Sequence, residues 1–92
     1  MSRTLILGAE AACPTTTGAA TSFTEASAVR LVNTDSSAHL VTIVPTQGAT
    51  GADIIGSFTL PASAVETIEK QYSHCIFAEN AGVKGAKVGL TN

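Results

Sequence analysis

Tryptophan is missing from this 92-residue chain, and its aromatic residues are three Phe and a single Tyr, Tyr72. A surface that binds sugars stacks them on exposed rings, so a carbohydrate-binding module is poorly supplied here. Charge is scarce as well: 13% of residues are Asp, Glu, Lys or Arg, against an ordinary ~25%, and the net charge is −2. Such a chain is neither a disordered acidic tail nor a basic arm for a polyanion. Arg3, Arg30, Lys70, Lys84 and Lys87 are scattered and not interleaved with aromatics, which argues against nucleic acid as a partner. Cys13 and Cys75 lie far apart and form no CxxC pair, so two buried free thiols are expected and not a disulfide framework. No apolar run approaches the roughly 18 residues of a membrane span, and no window carries a helical stripe.

The N-terminus, MSRTLILGAEAACP, has one Arg and a short apolar run before Cys13. Glu10 stands where a lipobox needs an aliphatic residue, and Leu5 to Leu7 is too short for a signal-peptide core. This reads as a mature N-terminus on a chain made in the cytoplasm. At 9.3 kDa the chain is one small domain. Folding at that size buries roughly 63% of the surface of an extended chain, so a lone monomer is marginal.

What is present is β signal. Thr and Val recur in short runs separated by Gly, Pro, Asn, Asp and Ser. Val29–Asn33 and His39–Val44 flank Thr34–Ala38, whose Asp and Ser shape turns; the pair reads as an antiparallel hairpin. Pro45–Asp53 reads as an exposed loop. Ile54–Leu60 follows as a strand with Phe58 and Leu60 on one face, and Pro61–Ala64 turns the chain. Val65–Lys70 is too short and too β-branched for a helix and is expected as a strand. Cys75–Ala78 and Ala86–Thr91 are strands with a turn region, Glu79–Gly85, between them. Upstream, Arg3–Leu7 is a first strand and Thr21–Thr24 a weaker second. Ala11–Ala20 is small and polar enough for a mobile arm or a strand edge.

Seven or eight short strands at this spacing predict an all-β fold: a small antiparallel β-sandwich of about seven strands, immunoglobulin-like or jelly-roll-like. A barrel is the other arrangement that the pattern allows. An N-terminal strand and arm over residues 1–20 would precede a single sandwich domain over 21–92.

Residues that could do chemistry are few. His39, His74, Cys13 and Cys75 are zinc-ligand types, but His74 and Cys75 are adjacent and in a strand point to opposite faces, which also counts against a Cys–His nucleophile. Glu66 and Glu69 likewise fall on opposite faces and not across a groove as a glycosidase pair requires. Gly48-Ala49-Thr50-Gly51 lacks the Lys-Ser or Lys-Thr and the helix of a phosphate loop. No metal, cofactor or catalytic residue is therefore expected. Weak charge and small size point to burial of edges and faces against other chains, so a structural or interaction protein leads. Exposure alone nominates the partner contacts: Thr15, Thr16 and Thr17 in the arm, and Gln47, Thr50 and Asp53 in the loop.

The stretch Val29-Arg30-Leu31-Val32-Asn33-Thr34 to Val41-Thr42-Ile43 resembles small β-sandwich virion proteins of tailed phages, cyanophages among them. Gly56-Ser57-Phe58-Thr59-Leu60-Pro61, Ile68-Glu69-Lys70 and the closing Ala86–Asn92 extend the resemblance over Val29 to Asn92. It implies a capsid decoration or cement protein on the virion surface, synthesised in the host cytoplasm, binding the major capsid protein in many copies and itself as a dimer or trimer. A tail, neck or fibre-associated protein would read the same way. In such proteins an N-terminal arm often makes part of the contact, so deletion of Met1–Ala20 is expected to weaken attachment without unfolding the remaining strands.

Overall fold

The computed structural model describes residues 3–48 and 54–91. Within them eight strands form an antiparallel all-β sandwich: β1 (Arg3–Ile6), β2 (Ala11–Ala12), β3 (Ala28–Asn33), β4 (His39–Val44), β5 (Gly56–Leu60), β6 (Val65–Glu69), β7 (Cys75–Ala78) and β8 (Val83–Thr91). One sheet runs β1–β8–β3–β6, with β2 also on β8; the other runs β5–β4–β7. Alternation puts Val29 and Leu31 of one sheet against Val41, Leu60, Ile76 and Ala78 of the other, all buried in one core with Val83.

Val29–Asn33 and His39–Val44 are the strands expected, but they are not a hairpin. Strand β3 pairs with β6 and β8, while β4 pairs with β5 and β7. Thr34–Ala38 therefore arches from one sheet to the other. The cause is Asn33, which lies inward in register with Val29 and Leu31. Its fully buried amide donates to the carbonyls of Ser37 (2.8 Å) and Leu60 (3.0 Å) and accepts from the Asp35 N–H (2.9 Å), so the turn wraps around a side chain instead of closing a ladder. The β5–β6 and β7–β8 connections arch between the sheets at the same end.

Thr21–Thr24 is not a strand. Thr21 makes one bridge to Ile76, after which Phe23, Thr24 and Glu25 take φ values of 53, 59 and 56°. Three consecutive left-handed residues cost about 1–2 kcal/mol each. Ser22 holds the turn, its carbonyl accepting from Ala26 N–H (3.0 Å) and its hydroxyl from Glu25 N–H (3.0 Å). The turn delivers the Phe23 ring into the core over Gly85. A Cβ at position 85 would sit 2.7 Å from Phe23 Cζ and 3.0 Å from Leu31 Cδ2. Gly85 thus marks a close approach and not the expected turn, and strand β8 begins earlier, at Val83.

The Ala11–Ala20 segment is built into the body. Strand β2 edges β8, Cys13 is buried in the main core, and the Ala78 N–H donates to the Pro14 carbonyl (2.9 Å). The chain then crosses the β7 edge through a short 3-10 turn, Thr17–Ala19, and lays Ala20 on the outer face of the second sheet beside Val44, Cys75 and Phe77. Residues on both sides of position 20 share these cores. Deletion of Met1–Ala20 is accordingly expected to abolish the cooperative unfolding transition, correcting the expectation of an unaffected remainder.

Gly85→Ala should destabilise the fold by about 1–3 kcal/mol in chemical denaturation, because the backbone and the Phe23 ring would have to move. Gly56→Ala, which meets open space, should change stability by well under ~1 kcal/mol.

Candidate interaction surface

The two ends of the sandwich differ. At the arch end the turns are tied by polar bonds. The Asp35 carboxylate lies 2.6 Å from Nε2 of His39, and Glu79 Oε1 lies 3.2 Å from Nδ1 while also accepting the Leu40 N–H (2.9 Å). His39 thus bridges the β3–β4 and β7–β8 arches, with its side chain 12% exposed. The Asp35 hydrogen bond raises the His39 pKa above its ordinary 6.5, aided by Glu79. Asp35 is held below the usual carboxylate range by His39 and then by the Ser36 N–H, and Glu79 by the Leu40 N–H and then by His39. A protonated His39 donates from both ring nitrogens, leaving neither free for a metal or for base catalysis.

The opposite end carries most of the exposed apolar side chains. Of the eight large hydrophobic side chains exposed among the described residues, Leu5, Ile6, Leu7, Ile54, Ile55 and Tyr72 belong to this end; Leu40 and Val65 belong to the arch end. The cause is chain length in one strand. Strand β3 reaches only as far as Lys87 on β8, whereas β8 continues to Thr91 with β1 alone beside it. The result is a two-stranded ribbon that projects past the rest of its sheet. Leu5, Ile6 and Leu7 are 55, 61 and 51% exposed, although alternation sends Ile6 to the face opposite its neighbours. Gly8–Glu10 then link β1 to β2, and beside them lies an open groove of about 380 Å³ whose lining includes Leu7, Ala9, Pro14, Phe23 and Lys87. Lys87 donates to the Thr24 carbonyl (3.0 Å).

Four of the six nominated contact residues meet at this end. The Gly48 N–H donates to the Thr17 carbonyl (2.6 Å), drawing the exposed Gln47 to the exposed Thr15 and Thr16. Thr50 and Asp53 lie outside the described residues. Sequence reasoning missed the ribbon, although Leu5-Ile6-Leu7 was the signal. Three consecutive large apolar residues on an edge strand cannot all face one core.

The residues weighed for chemistry are dispersed. Cys13 is in the main core and Cys75 in the smaller cluster, both free. Burial pushes the Cys13 thiol up to about 11. Glu66 and Glu69 are exposed on β6. Among the described residues no group of three His, Cys, Asp or Glu side chains could hold a metal ion. Comparison with protein-family models, curated proteins and solved structures gives no match, so the functional reading rests on geometry and sequence pattern.

Two outcomes follow from this geometry. A raised histidine pKa contributes stability that is full below about 6.5 and lost as pH rises through the folded-state value; lowered carboxylates lose theirs as pH falls through their own depressed values. Melting temperature should therefore fall as pH rises from about 6.5 through the raised folded-state value of His39, and His39→Gln should flatten that fall. Cys13 should resist alkylation at pH 8 in the native protein and react once the chain is unfolded in urea.

Proposed function

We propose that this chain is a non-enzymatic virion structural protein: a capsid decoration or cement protein that binds the outer shell in many copies and bridges capsid subunits. The observation that carries this reading is the gathering of exposed apolar side chains at one end of a small, weakly charged sandwich. Apolar surface of that kind marks a protein contact, and a domain this small gains stability by covering it. The resemblance of Val29–Asn92 to phage sandwich proteins points the same way. The apolar end and its flanking Thr15–Thr17 and Gln47 corner would face the major capsid protein, and the polar arch end would face solvent.

A tail, neck or fibre location uses the same contact physics and differs in copy number. The sugar-binding alternative finds one exposed ring among the described residues, Tyr72, and no platform of rings beside it.

Quantitative mass spectrometry of purified particles tests the reading. A molar ratio to the major capsid protein near one, or a simple fraction of it, is expected. A few per cent would move the chain to the tail or neck, and absence from particles would overturn the virion assignment.

A further inference from the structure

Strand β1 has β8 along one edge and none of the described strands along the other. The Leu7 N–H donates to the Lys87 carbonyl at 2.9 Å, so Leu7 turns its backbone groups towards β8. Alternation then turns those of Thr4 and Ile6 outward, to the open edge. Open edges are ordinarily guarded by a proline, an inward charge or a bulge. Strand β1 holds no proline, its one charged residue, Arg3, stands at its first position, and the loop that follows the strand begins only at Gly8.

The geometry points to a second copy of this chain as the occupant of that edge, through a two-fold antiparallel β1–β1 pairing centred on Leu5. A two-fold axis requires that the outward groups of one strand meet the same groups of the other. With Leu5 opposite Leu5 of the second copy, Thr4 faces Ile6 of the other chain and Ile6 faces its Thr4. All four residues then exchange both backbone bonds. Leu5 falls at a non-hydrogen-bonded position, where Cα atoms approach to about 4.5 Å and side chains touch. Arg3 comes opposite Leu7, so no like charges are set against each other. The half-exposed Leu5 and Leu7 gain cover on one face and Ile6 on the other.

Four backbone bonds and three apolar side chains per copy make a patch below the ~1,200 Å² of a standard stable interface. The contact is therefore weak in dilute solution and is populated where copies crowd on one surface. In that purpose it rests on the particle reading above; its detection does not.

Sedimentation of the full chain over a wide concentration range should show a monomer–dimer equilibrium. Ile6→Pro removes an N–H that points away from β8, so the fold should persist while the dimer weakens by about tenfold or more. Leu5→Cys should give a disulfide-linked dimer on mild oxidation, since the paired Cα distance suits a disulfide. Ile6→Cys, opposite Thr4, should not. A monomer at every concentration would overturn the inference, and so would cross-linking at position 6 equal to that at position 5. A foreign strand as the true occupant would show itself as the monomeric outcome. Particle copy number is measured independently, so a failure here is distinguishable from a failure of the virion reading.

Discussion

Strand β8 has neighbours along both edges, and the rest of the molecule is arranged by that fact. Strand β3 takes one edge from Val83 to Lys87, and the N-terminal strands take the other from Lys84 to Thr91. Because the first and last segments of the chain meet there, the sheet forms only when distant parts of the sequence come together. Gly85 is the third residue of this strand. Its missing Cβ is the space into which the Phe23 ring fits, and the ring's burial offsets the left-handed turn that carries it. One glycine thus couples the central strand, the turn before β3 and the packing of Leu31.

The same strand sets the two ends apart. Since β8 outruns β3, its last residues carry β1 past the edge of the core, and Leu5, Ile6 and Leu7 are left half-exposed. The arches at the other end cannot drift outward in this way. Asn33 holds two of them from within through the Ser37 and Leu60 carbonyls, and His39 clips two of them from without through Asp35 and Glu79. A buried amide with satisfied partners specifies one arrangement strictly, because any other would leave its polar atoms orphaned in the core. One end is thus pinned by polar bonds, while the other keeps half-exposed apolar side chains.

Much of the strand content was legible. His39–Val44 and Cys75–Ala78 have the expected limits, and Phe58 and Leu60 share the expected inward face, because period-two alternation is a local property of the chain. Pairing was not legible. The turn chemistry of Thr34–Ala38 fits a hairpin and an arch equally well, and only the inward amide of Asn33 decides between them. Thr21–Thr24 has the composition of a strand, yet the pull of Phe23 into the space above Gly85 outweighs it. Of the proposed contact surface, the Thr15–Thr17 and Gln47 corner was open to nomination from expected exposure, while the ribbon depended on where β3 stops.

Sequence alone determined the class: scarce charge, β-branched runs and frequent turn residues admit a small β-domain and exclude helix bundles and membrane-spanning helices. It also determined which residues alternate inward, since that follows from the geometry of an extended chain. Tertiary structure decided which strands are neighbours, that Ala11–Ala20 is sewn into the body, and that Leu5, Ile6 and Leu7 stand exposed. These depend on contacts between residues far apart along the chain, whose strengths differ by amounts that no local pattern records.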